Sequence, residues 1–126
     1  MAGSLSNYAE NKVLDHLMGT TTFTKPTTYV ALYTTAPTDS TSGTEVTGGS
    51  YARIAGSWDA ASGGATANSG NLDFTGMPAC TVVAVGVLDN SSGGNLLVYG
   101  TLTSNKTLDA GDTLRIATGD LDITID

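Results

Sequence analysis

The residues able to carry covalent or acid–base chemistry are few. His16 is the only histidine and Cys80 the only cysteine among 126 residues. A Cys–His nucleophile pair needs the two side chains in hydrogen-bond reach and a third group to orient the base. His16 falls among polar positions near the end of an amphipathic segment, where a surface role at the negative end of a helix dipole accounts for it. Cys80 precedes an apolar run, as small buried cysteines commonly do, and has no partner for an internal disulfide. One histidine and one cysteine do not make a zinc site. Triad chemistry would draw on the same histidine, and no G-x-S-x-G elbow occurs. These residues predict neither an enzyme nor a cofactor site.

The carboxylates come closer to a constellation. Asp109 and Asp112 flank a turn glycine, and Asp120 and Asp122 flank Leu121. Two residues apart on a strand, Asp120 and Asp122 point the same way, opposite Leu121. A solvated acidic edge that discourages sheet-to-sheet pairing explains both pairs. Calcium on Asp109, Asp112 or Asp120 is the sharper alternative, but the D-x-D-x-D-G spacing is missing. Gly48-Gly49, Gly63-Gly64 and Gly93-Gly94 lack the following Lys-Ser/Thr and helix start of a phosphate cradle, so they read as turns.

Composition narrows the partners. The net charge is −7 with five Lys and Arg, which leaves no cationic footprint for nucleic acid or anionic lipid. No apolar run approaches the roughly 20 residues that span a bilayer, and no basic-then-apolar signal opens the sequence. Charged residues make up only 13%, against about a quarter in ordinary soluble domains. A Thr/Ser/Gly coat of this kind suits a surface that packs against copies or partners, which predicts an oligomer or assembly component.

The elements that position these residues centre on Thr81 to Thr103. Two Val- and Leu-rich runs flank Asn90-Ser91-Ser92-Gly93-Gly94, the pattern of an antiparallel hairpin in mid-sheet. Val83, Val85 and Val87 are expected on one face of the first run, with Val82, Ala84 and Leu88 on the other. Leu96, Val98 and Leu102 alternate with Leu97, Tyr99 and Thr101 in the second. One helix is predicted over Ser4 to Met18, with Leu5, Ala9, Val13 and Leu17 at four-residue steps and Leu14 and Met18 widening the stripe. Asn7 with Glu10, Ser4 or Ser6 caps it, and Gly19 stops it. The stripe lies either on its own sheet or on a neighbouring subunit.

Further strands are expected at Thr27 to Thr35, Tyr51 to Trp58, Asn71 to Thr75, Thr113 to Thr118 and Leu121 to Ile125. In the first, Val30 and Leu32 oppose Tyr29, Ala31 and Tyr33; in the last, Leu121, Ile123 and Ile125 point inward. Trp58 is placed at a core edge with its N–H bonded. Ser40 to Ser50, Asp59 to Gly70 and Ser104-Asn105-Lys106 read as loops or turns. At this length one domain is expected, with residues 1–19 the helix and 27–126 the sheet. The fold class is all-β: an antiparallel β-sandwich or small jelly-roll-like barrel of about seven strands with one N-terminal helix.

Leu5-Ser6-Asn7-Tyr8-Ala9-Glu10 with Leu14 and Leu17, YVALYTTAP from Tyr29, Gly43-Thr44-Glu45-Val46 with Gly49-Ser50-Tyr51-Ala52-Arg53, and GGNLLVYGTL from Gly93 carry a resemblance over nearly the whole chain. It resembles a family of small tailed-bacteriophage virion proteins, commonly labelled tail-fibre or virion structural protein. The Gly- and Ala-rich stretch from Ala60 to Asn71 departs from that pattern. The resemblance implies a structural protein located in the virion, assembled in the host bacterial cytoplasm.

A long fibre needs a coiled coil, triple helix or shaft repeat, and these residues contain none. A compact, charge-poor β-module with a terminal helix suits a capsid decoration (cement) protein. Such a protein would associate as a homotrimer and bridge the major capsid protein non-covalently. On this reading Leu5, Leu14, Leu17, Met18, Tyr29 and Tyr33 contact neighbours. The alternative is a tail-fibre or tail-tip module, with exposed Tyr51 and Trp58 binding host glycan.

Overall fold

The computed structural model describes residues 2–125, with side chains from Ser4 onward. Ten strands and one helix run in the order β1 (Ala2–Leu5), α1 (Asn7–Leu17), β2 (Tyr29–Thr35), β3 (Thr44–Glu45), β4 (Ile54–Ala55), β5 (Ala65–Ala67), β6 (Leu72–Phe74), β7 (Cys80–Leu88), β8 (Leu96–Leu108), β9 (Leu114–Ile116) and β10 (Asp122–Thr124) among the described residues. The fold is mainly antiparallel β with one N-terminal helix, as expected for a sandwich. The larger sheet has the order β3-β2-β7-β8-β1-β10-β5, with β4 also on the free edge of β2; β6 and β9 form a two-stranded ribbon.

The central hairpin is β7–β8, as predicted, and β7 lies in mid-sheet between β8 and β2. Alternation along β2 sends Val30 and Leu32 into the core between sheet and ribbon, with Leu72, Phe74, Val85, Val87, Leu114 and Ile116. Ala31 and Tyr33 face the other way and pack with Ala84 and Leu88. Both faces are therefore covered, and each Val or Leu on them leaves water. Full burial of one such side chain contributes about 1.5–3 kcal/mol.

Two register shifts correct the expected faces. Between Val82 and Ala84 the partner residue jumps from Lys106 to Thr101, so β8 carries extra residues there. A bulge breaks the two-residue period. Val82 consequently joins Val85 and Val87 in the main core, while Val83 packs with Ala84 on the opposite side. The second shift leaves Leu97 between the Leu88–Leu96 and Val87–Val98 pairs. Leu96 therefore packs on the far cluster, and Val98 and Leu102 on the main one. The expected turn at Ser104-Asn105-Lys106 is part of β8 instead.

The helix is shorter than its apolar spacing predicts. Ser6 takes the N-cap in extended geometry, and its hydroxyl accepts the Ala9 N–H at 3.2 Å. Its own N–H donates to the Leu97 carbonyl at 2.9 Å, which ties the cap to the sheet. Ahead of it, Ala2–Leu5 finds sheet partners on both sides and stays extended, so Leu5 belongs to β1. At the other end Met18 N–H reaches the Leu14 carbonyl, and Gly19 turns the chain with a φ of 85°, a region glycine enters without a Cβ clash.

Other differences lie in polar stretches. Tyr51 to Trp58 supplies only the two-residue β4, and the loops expected at Ser40–Ser50 and Asp59–Gly70 contain β3 and β5. Leu121 is buried and Ile123 packs on the core, but Ile125 is exposed rather than inward. Cys80 is half-buried at the start of β7, not enclosed, because the strand begins at the rim of the core.

Candidate functional site

At the end of α1 the apolar stripe meets solvent. Leu14, Leu17 and Met18 are 57%, 71% and 76% exposed, whereas Ala9 is the one residue of the helix that is buried. The reason is local. The cap at Ser6 fixes the first turn to β8, and the helix runs outward from there. The structure thus brings together three of the predicted contact residues on one surface. Leu5 sits apart, half-buried on β1 opposite Val98. Tyr29 is half-buried in β2 between Leu88 and Ala55.

Tyr33 corrects the expectation of a contact face on β2. It is 3% exposed, and its ring lies over Gly86, where an added Cβ would come within 2.8 Å of the ring edge. Burial, reinforced by the Glu45 carboxylate, pushes the Tyr33 phenol up to about 12; Arg53 opposes the shift. A phenol so enclosed serves packing within the chain.

Sequence reasoning missed the polar brace beside it. Arg53 donates from Nε and Nη2 to the two Glu45 carboxylate oxygens at 2.9 and 2.8 Å. Its Nη1 donates to the carbonyls of Asn90 and Gly93, each at 2.8 Å, in the β7–β8 loop. Tyr51 Oη donates to Glu45 at 2.6 Å and accepts the Leu32 N–H at 3.0 Å. The Glu45 carboxyl is raised by burial, yet the hydrogen bonds from Arg53 and Tyr51 outweigh this and hold it below its usual range. Burial and the bond to Glu45 push the Tyr51 phenol far upward. The legible signal was that Arg53 is one of only two arginines in a chain poor in charge. The other, Arg115, pairs with Asp73 across β9 and β6 at 2.6 Å.

The aromatics proposed for glycan stacking are used internally. Tyr51 stacks on Phe74 with centroids 6.1 Å apart, and Trp58 is half-buried against the core. Trp58 Nε1 donates to the Thr28 hydroxyl at 2.9 Å, the bonded core-edge position expected of it. Both rings are thus held by contacts within the chain.

The reactive residues are dispersed. His16 is exposed, and its Nδ1 accepts the Phe23 N–H at 3.1 Å, a bond that folds the chain back onto the helix end. Burial pushes the Cys80 thiol up, away from the reactive thiolate. Asp112 accepts the Asp109 N–H at 2.8 Å and closes the turn between them. Among the described residues, no three His, Cys, Asp or Glu side chains gather as a metal site. A cleft of about 390 Å³ lies between β8 and β9, with Leu102, Leu114 and Leu121 in its lining and Lys106 and Asp122 beside them.

The geometry is that of an internally braced β-module with an apolar helix end left uncovered. No curated protein matches the chain. The model of the family described as Podophage GP4 fiber I protein gp80 matches residues 4–124, which spans α1, both sheets and the Glu45–Arg53 brace. The chain therefore belongs to the podophage GP4 fiber I protein gp80 family.

Proposed function

We propose that this chain is a fibre-associated structural subunit of a podophage particle, working by non-covalent packing of the α1 end against another virion subunit. One contrast carries the reading. The polar side chains of the interior are bonded within the fold, with no buried side-chain polar atom left unpartnered among the described residues. Leu14, Leu17 and Met18, by contrast, are left in water. Contiguous exposed apolar side chains mark contact sites on soluble modules, so a cluster exposed together on a braced module is suited to docking. Membership of a fibre family favours the tail over the head.

The capsid decoration role, with a homotrimer on the major capsid protein, is supported by the low charged fraction of the chain alone. Immunogold labelling of intact particles separates the two. Gold on tails is the expected result. Gold confined to heads would transfer the same packing mechanism to the shell.

A further inference from the structure

The segment ahead of β2 behaves as an arm joined to the rest of the fold by one short bridge. The arm closes on itself: the Thr20 and Thr21 N–H groups donate to the Asp15 carbonyl at 2.9 and 3.2 Å, and the Phe23 N–H donates to His16. The body begins at Thr28, whose carbonyl accepts the Gly56 N–H at 2.8 Å and whose hydroxyl holds Trp58. Between these anchors, Thr24, Lys25, Pro26 and Thr27 make no hydrogen bond among the described residues. Pro26 stiffens this bridge by fixing its φ.

The arm also fills a gap that only a strand can fill. β1 pairs antiparallel with β8, Ser4 opposite Tyr99 and Leu5 opposite Val98. On its other side it pairs parallel with β10, Ala2 opposite Asp122 and Gly3 opposite Ile123. In the strand order, β1 alone connects β8 to β10. Withdrawing it would expose two strand edges whose N–H and C=O groups need partners. The segment that matches this slot in length, register and direction is Ala2–Leu5 itself, on this copy or on the next. Within the helix only Ala9 adds a buried side chain.

We infer that the β1–α1 arm is exchanged between copies of this chain, β1 of one copy lying between β8 and β10 of its neighbour. Exchange re-forms every hydrogen bond of the closed form, so its cost is confined to the bridge and to association. A short hinge invites exchange of this kind. A four-residue bridge spans at most about 13–14 Å, so exchanging copies must lie with their bridges side by side. The exposed Leu14, Leu17 and Met18 travel with the arm to the seam between copies. This rests on the packing reading above and deepens it by taking the neighbouring subunit to be a second copy of this chain.

Cysteine cross-linking in a C80S background tests the inference on the full chain. A chain carrying S4C is co-expressed with a differently tagged chain carrying Y99C, and L5C with V98C serves as a second pair should Y99C fail to fold. Directly opposed residues have Cβ atoms about 4.5–5.5 Å apart, close to disulfide range. Exchange predicts a mixed disulfide between the two chains in the assembled fraction. It also predicts a several-fold loss of that species when a Gly-Ser insertion after Lys25 lengthens the bridge. Absence of the mixed disulfide at both positions overturns exchange, whatever a double-cysteine control does within one chain. If L17D abolishes association while no mixed disulfide forms in the parent, helix packing stands and exchange falls.

Discussion

Arg53 grips both carboxylate oxygens of Glu45, at 2.9 and 2.8 Å, with side chains only 9% and 25% exposed. The fork joins the edge strand β3 to the segment before β4, and the remaining guanidinium nitrogen holds the β7–β8 loop. Removing one partner strands the other's charge in a half-buried site. R53A is expected to lose about 2–3 kcal/mol, scaled down from the fully buried case, a fall in Tm of about 8–15 °C. R53K should recover little, because an ammonium cannot form the fork. Thermal unfolding followed by circular dichroism measures both.

The same brace gives the stability a pH signature. Glu45 is held below its ordinary value in the fold, so it binds protons more readily when unfolded. Its contribution is present above the unfolded carboxylate value of about 4.3 and disappears as pH falls through the folded one. Denaturant titrations from neutral to acid pH should show this loss, and E45Q should flatten it. At the alkaline end the sign reverses. Tyr33 is raised to about 12, so its contribution is full below the ordinary tyrosine value and is lost as pH rises through the folded one. The ultraviolet tyrosinate signal should include a fraction that appears only with unfolding.

Asn68 is fully enclosed and joins three backbone segments. Its Nδ2 donates to the carbonyls of Gly70 and Ala117 at 2.8 and 2.9 Å, and its Oδ1 accepts the Leu121 N–H at 2.9 Å. N68L leaves the buried Leu121 N–H without its partner and strips the half-buried Gly70 and Ala117 carbonyls of theirs, at about 1–3 kcal/mol for each that water cannot reach. The expected outcome is a variant that is marginal at room temperature, read by urea unfolding. A midpoint equal to the parent's would mean that Asn68 does not organise this corner.

Gly86 lies beneath the Tyr33 ring, and an added Cβ would meet Tyr33 Cε2 at 2.8 Å and Leu96 Cδ1 at 3.0 Å. G86A should destabilise by about 1–3 kcal/mol through overpacking. Pairing it with Y33L should restore part of that loss, since the smaller side chain vacates the space. Additive losses in the double variant would count against the contact.

What could be read in the sequence follows from what periodicity encodes. The alternation of Tyr29 to Tyr33, the β7–β8 hairpin, and the Leu72 and Phe74 face were legible because a strand in a two-sided core repeats every second residue. The bulges at Leu97 and after Thr101 were not, because an extra residue changes faces without a marker in composition. Leu5 fell into the helix because it stands four residues before Ala9, a spacing that β1 satisfies by accident. Asn68 and the short β5 were hidden in an Ala/Gly/Ser stretch, where pairing rests on backbone alone. Of the surface, Leu14, Leu17 and Met18 were visible as a stripe, but whether its own sheet covered it depended on the direction in which Ser6 starts the helix.

The proposed role requires the end of α1 to be a contact rather than an uncovered accident. Particles assembled with the L14D/L17D/M18D chain test it directly, alongside the Tm of the purified variant. Because these side chains already face water, the Tm should stay within a few degrees of the parent, while the amount of chain retained on purified particles falls by tenfold or more. A variant of unchanged Tm that loads onto particles as well as the parent would contradict the account.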